Sequence, residues 1–343
     1  MLGLKRGTEL LRERWKTELP DHVLNVGYQS NGTLLAAVSA SGPIHVLRSR
    51  DGTAECTFEG CSSGTTGIAW SPESDLLASI GKDAVLRVWN VASKKLAWSG
   101  EATAPWAERV AWSGDGQILA VAAGKFVRLW DRQGNELKIF GPHSSTVLDI
   151  AWKPESHQIA ATSYGCVTLW NADLPEPTRT YRWRGSSLVL AWSPDGRFLA
   201  TGDQDATVHF WVTETGHDYQ MSGFPRKVKE LSWDSSSRWL ANGGGSQACI
   251  WDCSPPGPSD REPMILEAHE RSLTTLAFQH RRKLLATGGE EGRVMIWRPL
   301  RGNSAVSASL EGPAITQVIW SPDDTAVLAG DESGGVRLFQ VIE

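Results

Sequence analysis

Five cysteines, two pairs of adjacent acids and the glycine runs at 243–245 and 288–289 are residues of this 343-residue chain whose types and spacing could carry chemistry. Cys56 and Cys61 form one close pair, Cys249 and Cys253 another, and Cys166 stands alone. A structural zinc site draws its ligands from two such pairs at a set spacing, and neither pair has a second one at that distance. An odd, scattered set in a large chain fits reduced thiols better than a disulfide framework. Asp323-Asp324 and Glu290-Glu291 fall among turn residues, where adjacent acids are more often solvated than catalytic. Gly243-Gly244-Gly245 and Gly288-Gly289 follow short apolar runs with no helical pattern behind them to receive a phosphate, so they read as turn glycines supplying positive φ. No phosphate-binding loop, nucleophile elbow, HExxH or CxxC array occurs. Neither a metal nor a cofactor is expected.

The elements that would have to position any site come from one recurring unit. In Ser187–Gly216, LVLAW is followed by the turn Ser193-Pro194-Asp195-Gly196, then RFLATG, then TVHFW. Three β-prone runs so close together leave no room for a helix. The terminal aromatic of LVLAW recurs at Tyr28, Trp70, Trp112, Trp152, Trp192, Trp233, Phe278 and Trp320, and the end of the third run at Leu47, Trp89, Trp130, Trp170, Trp211, Trp251, Trp297 and Phe339. Both landmarks keep a period of about 42 residues, and a fourth, less regular run such as KKLAW (94–98) or RTYRW (179–183) closes each unit. One four-stranded meander cannot bury both of its faces, so copies must stack on one another.

The third-strand ends Trp89-Asn90, Trp130-Asp131, Trp170-Asn171 and Trp251-Asp252, with turns SPDG, SPES, SGDG, KPES and SPDD, resemble those of the WD-repeat β-propeller family over about residues 21–343. The fold class this implies is all-β: a closed propeller of four-stranded antiparallel blades forming a single domain, 1–343. The repeats are read as 21–60, 61–100, 101–141, 142–184, 185–223, 224–268, 269–311 and 312–343. The last one lacks a fourth strand of its own. Segment 8–20, with Arg14-Trp15-Lys16-Thr17, can supply it, so that both termini close the ring. That count favours eight blades over seven. The first set, with Tyr28 and Leu47 where its siblings carry Trp, is the one whose loss would leave seven.

Twelve of the seventeen tryptophans are landmarks, and their recurrence assigns them to the packing between repeats. Trp15, Trp98 and Trp183 fall on outer strands, Trp239 opens a second strand, and Trp106 fits no strand position. The resemblance also implies a blade-stiffening hydrogen-bonded set of His, Ser or Thr, Asp and Trp. It is met in fragments: His269, Thr287 and Trp297 with Glu291 in place of Asp; Thr201, Asp205 and Trp211 without His; Ser79, Asp83 and Trp89 without His; His143, Thr162 and Trp170 without the acid. These residues are structural, since buried polar groups exist to be satisfied. Trp89–Trp98 also resembles a docking motif of eight-bladed quinoprotein dehydrogenases, but it occurs once and lacks the glycine.

A net charge of −5 and a pI near 5.9 argue against a polyanion-binding surface, so no nucleic acid is expected as a partner. No apolar run suggests a signal peptide or a membrane span, which makes the cytosol the expected address and excludes a membrane partner. What remains is a binding surface. The loops before the first strands and after the second share one end of the ring, the top face. Position −3 from each first-strand aromatic reads Asn25, Gly67, Arg109, Asp149, Val189, Glu230, Thr275 and Gln317, a mostly polar set expected to face the channel mouth. Arg182, Arg184, Arg226, Lys227, Lys229, His269 and Arg271 form a basic arc above it, with Trp106 as an aromatic that no core position requires. The residues expected to contact a partner are Trp106, Arg109, Asp149, Arg184, Arg226, Lys229, Glu230, His269, Arg271 and Gln317. The expected function is a non-enzymatic protein–protein interaction scaffold, monomeric within a larger complex. The alternative is a small-molecule or cryptic enzymatic site at the channel mouth, contacted by Arg109, Asp149 or Glu230. The insertion from Ser254 to Asp260, on the opposite face, reads as a stiff surface loop.

Overall fold

Strand follows strand because each turn fixes its own geometry, and Ser193-Pro194-Asp195-Gly196 shows how. Pro194 presets φ for the second turn position. Gly196 N donates to Ser193 O at 2.8 Å, and Gly196 adopts φ of 67°, a conformation that strains a residue with a Cβ. Ser193 Oγ then accepts from Phe198 N at 3.0 Å, so the next strand starts in register, with Trp192 opposite Leu199. The structure is a computed structural model that describes residues 11–61, 63–102, 104, 107–255, 257–258, 261–267, 269–301, 305–309 and 311–342.

The first repeat is a full sheet despite its missing tryptophans: Val23–Tyr28, Leu34–Ser39, Ile44–Arg48 and Ala54–Phe58 pair in chain order, all antiparallel. Leu47 is completely enclosed, so leucine serves where a sibling places Trp. At the other end of the chain, Leu11–Glu18 pairs with Gly335–Val341, from Leu11 opposite Val341 to Glu18 opposite Gly335.

The expected count of eight separate blades is corrected to seven. Among the described residues the strands form seven sheets, six of four strands and one of six. The six-stranded sheet arises because Gln158–Asn171 and Arg179–Trp192 run on where other repeats break. The segment that should separate the fourth repeat from the fifth is itself hydrogen-bonded, with Tyr164 opposite Ser186 and Cys166 opposite Arg182. Two sequence repeats therefore share one sheet.

The core lies between successive repeats. Ile68, Leu77 and Trp89 pack against Ala36, Val38 and Val46 of the preceding repeat. Val23, Val26 and Leu35 of the first repeat pack against Leu328, Val336 and Leu338 of the last. Burying each Leu or Val side chain is worth about 1.5–3 kcal/mol, which a lone meander could not collect on both faces. Among the described residues no helix is long and apolar enough to cross a membrane. The five cysteines are free, and burial pushes the Cys249 thiol up to about 11.

Candidate functional site

The first-strand tryptophans do more than fill space. Each indole Nε1 donates to the carbonyl just before the aromatic of the preceding repeat: Trp70 to Gly27 at 3.1 Å, Trp112 to Ala69 at 3.2 Å, Trp152 to Ala111 at 3.0 Å. Trp192 donates to Ala151 at 3.1 Å, Trp233 to Ala191 at 3.2 Å and Trp320 to Ala277 at 2.8 Å. Phe278 has no indole, and there Ser232 Oγ accepts from Phe278 N at 2.9 Å instead. An amide-type bond of this kind nets about 1 kcal/mol, so the set aligns neighbours as well as holding them.

Position −3, expected at the channel mouth, performs a second linking task. Asp149 Oδ2 accepts from Leu190 N at 2.9 Å, Thr275 Oγ1 from Val318 N at 3.2 Å and Gln317 Oε1 from Val26 N at 2.8 Å. Each reaches into the next repeat. Asp149 Oδ1 also accepts from Arg109 Nε at 2.9 Å and from Ile150 N at 3.1 Å, and Asp149 is buried. Burial raises its carboxyl above the usual range even though Arg109 and these N–H groups favour the charged form. Buried Asp149 is thus a link between repeats and not a surface contact; Gln317 makes such a link while staying partly exposed, and Arg109 stays half-exposed above its acid.

His269 takes its place in the stiffening set and not at the surface, since its side chain is only 1% exposed. Its Nδ1 pairs with Glu291 Oε1, its Nε2 lies 2.7 Å from Thr287 Oγ1, and Thr287 Oγ1 accepts from Trp297 Nε1 at 2.8 Å. Glu291 completes the stiffening set in place of the absent Asp. In the other fragments the set is thinner. Trp89 Nε1 donates to Ser79 Oγ at 2.9 Å. Thr162 Oγ1 turns instead to Asp149 N, and the Trp170 and Thr201 polar atoms have no partner among the described residues.

The rest of the basic arc is at the surface. Arg182, Arg184, Arg226, Lys227, Lys229 and Arg271 are exposed. Arg226 Nη1 donates to Ser272 Oγ at 2.6 Å and lies 3.9 Å from Glu290. Arg182, Arg184, Lys227 and Arg271 have no ion-pair partner among the described residues. Trp106 lies outside the described residues. An aromatic that sequence reasoning missed takes its place: Tyr164, 61% exposed, sits on the same paired ribbon as Arg182 and Arg184. The signal was an aromatic just after the small-apolar run, where sibling repeats carry Ala40, Lys82, Gln204, Glu290 and Glu332. On the opposite face Arg261 Nη1 ties down the 254–260 insertion by donating to Ser254 Oγ at 2.6 Å and Asp252 O at 3.0 Å; positions 256, 259 and 260 lie outside the described residues. Among the described residues no cluster of three His, Cys, Asp or Glu could hold a metal ion.

Two acids near this end titrate where few do. Burial pushes Glu230 up to about 7 against the Lys229 N–H that donates to its Oε2 at 3.2 Å. Burial likewise pushes Asp203 up to about 7, with Oδ1 lacking a partner. An unfolded chain releases these protons near pH 4, while the folded one holds them to about 7, so the folded state binds more protons in between and loses stability as pH rises through that window. Buried His143, lowered to about 4, acts in the opposite sense between about 4 and 6.5, so the test is a difference. Relative to the parent, Asp203→Asn with Glu230→Gln is expected to gain in melting temperature between about pH 5 and pH 8. A constant difference across that range removes these two groups as the cause.

A sequence profile described as "WD domain, G-beta repeat" matches residues 176–212 and 261–298, and one described as "Anaphase-promoting complex subunit 4 WD40 domain" matches residues 68–155. Telomerase protein component 1 of Rattus norvegicus is 23% identical over 321 residues, which are 92% of this chain and 10% of that protein. Cell division cycle 20.1, cofactor of APC complex, of Arabidopsis thaliana is 27% identical over 237 residues, 63% of this chain and 50% of that protein. The chain therefore spans between a tenth and a half of the length of these relatives. The crystal structure of the computationally designed Ika8 protein matches with a TM-score of 0.83 over 96% of this chain and all of that one, at 18% identity, which is a likeness of fold. Repeated Trp landmarks, four-stranded antiparallel sheets stacked face to face and these matches agree on WD repeats in a β-propeller fold.

Proposed function

We propose that this propeller is a non-enzymatic interaction scaffold, with its first and last repeats joined into a closed ring, and that its top face receives an acidic, aromatic-bearing segment of a protein partner. The observation that carries this reading is the set of exposed cations without acid partners among the described residues, Arg182, Arg184, Lys227 and Arg271, with exposed Tyr164 on the ribbon of the first two. Loops on a rigid sheet ring hold such groups in place before binding, and arginines and aromatics dominate interface energetics. A relative whose name makes it a cofactor of the APC complex supports assembly with other proteins as the role. The ring reading draws on the pairing of Leu11–Glu18 with the last strand and on the Val23–Leu328 packing. A cytosolic address is in keeping with five free thiols.

The test is affinity capture with the parent and with Arg184→Glu, Lys227→Glu and Arg271→Glu combined, all at exposed positions that the fold does not use. Proteins captured by the parent are expected to fall at least about tenfold in recovery with the triple variant, since each reversed contact at an interface centre costs about 1 kcal/mol or more. Equal recovery with an unchanged melting curve would rule out this face.

A further inference from the structure

At the end opposite the top face, where the N-terminal strand lies on the last sheet, the turns line a half-open pocket of about 710 Å³. Three arginines from distant parts of the chain line it: Arg14 from Leu11–Glu18, Arg50 from the first repeat and Arg281 from the seventh. Ser30, Asn31 and Ser49 add polar atoms to the wall. Arg14 Nε donates to Gln340 Oε1 at 3.1 Å and Arg50 Nε to Asp51 Oδ2 at 2.9 Å, while the Arg50 side chain remains 77% exposed. The Arg281 guanidinium has no partner among the described residues, although its backbone is anchored, with N donating to Asp324 Oδ2 at 2.8 Å.

One carboxylate, Asp323, shares the wall. Its Oδ1 is already engaged by Ser321 Oγ at 2.6 Å and Thr325 Oγ1 at 2.9 Å, so it orders the turn and does not answer the arginines. Three arginines thus line one pocket, Arg50 paired with its neighbour Asp51, and Asp323 is the one acid among the lining residues. We propose that this cavity binds a small anion carrying two or more phosphate groups. Planar guanidinium forks match phosphate oxygens two at a time, and hydroxyl and amide groups such as those of Ser30 and Asn31 complete such a shell. The volume lies within the range of small-ligand sites, about 300–1,000 Å³. Because the arginines come from both ends of the chain, the ligand bridges the N-terminal strand and the first repeat to the seventh, and its binding stabilises that seam.

The probe is pyrophosphate, followed by titration calorimetry and by melting temperature, on the parent, on Arg281→Gln, on Arg50→Gln and on the top-face control Arg182→Gln with Arg184→Gln. The parent is expected to bind saturably and to melt at a higher temperature with pyrophosphate. Each seam variant should weaken binding about tenfold or more, with its own melting temperature unchanged and the control pair behaving as the parent. Vesicles containing a phosphoinositide serve as a second arm. Vesicle binding alongside pyrophosphate binding, both dependent on Arg281, supports the site and makes a lipid headgroup its source. Absence of saturable pyrophosphate binding, equal weakening by the control pair, or vesicle binding alone overturns the proposal.

Discussion

His269→Ala is expected to lower the unfolding free energy by about 3 kcal/mol, read from the midpoint of urea denaturation. The size follows from what is left behind. His269 and Glu291 are both buried, and burial pushes the Glu291 carboxyl up while its bond to His269 and that ring's charge hold it below the usual range. Removing the ring leaves a carboxylate without its partner inside the protein, together with a Thr287 hydroxyl short of one contact. Thr287→Val is close in shape but removes the bonds to both His269 and Trp297, and is expected to cost about 2 kcal/mol. An alanine variant within about 0.5 kcal/mol of the parent would show that packing alone stiffens this blade.

Deleting residues 1–19 is expected to cost on the order of 5 kcal/mol and to make the protein self-associate. The strand Leu11–Glu18 satisfies the backbone edge of Gly335–Val341. Beyond that ladder, Trp15 Nε1 donates to Ser49 O and Thr17 Oγ1 to Gly52 O, each at 2.8 Å, which ties the last sheet to the first. Gly52 has a reason to be glycine here, since a Cβ at that position would lie 2.5 Å from the Trp15 ring. Without the strand, a seven-residue edge is left open to pair with another copy. The check is size-exclusion chromatography over a range of concentrations. A truncated chain that elutes as the parent does at every concentration and melts within a few degrees of it refutes the expectation.

The framework was legible because its landmarks need particular side chains. An indole both fills the gap and donates the hydrogen bond, and at Phe278 its loss is met only by a different link through Ser232, so Trp70, Trp112, Trp152, Trp192, Trp233 and Trp320 recur and betray the period. The links at position −3 were less legible, because any acceptor serves: Asp149, Thr275 and Gln317 do one job with three chemistries. Their polarity was visible in the sequence. Their direction, into the next repeat, depends on backbone placement and was not. The same holds for His269, whose residue type suits a surface contact as well as a buried set, and only its enclosure decides between them. The seam cavity was the hardest to foresee, since Arg14, Arg50 and Arg281 stand far apart in sequence and meet only because the chain ends come together. The fused sheet leaves no mark in composition at all. It rests on whether a short link stays extended, as Tyr164 and Ser186 do.

That last feature separates two units that repeat proteins are usually assumed to share. The sequence repeats in steps of about forty residues, yet the backbone from Ile150 to Met221 is knitted as one piece. A duplication or loss of a single repeat could fall cleanly between most neighbours. Here it would cut through a continuous ladder of hydrogen bonds. Removing the fourth or the fifth repeat alone would therefore open that ladder, whereas removing both together would leave no cut strand behind.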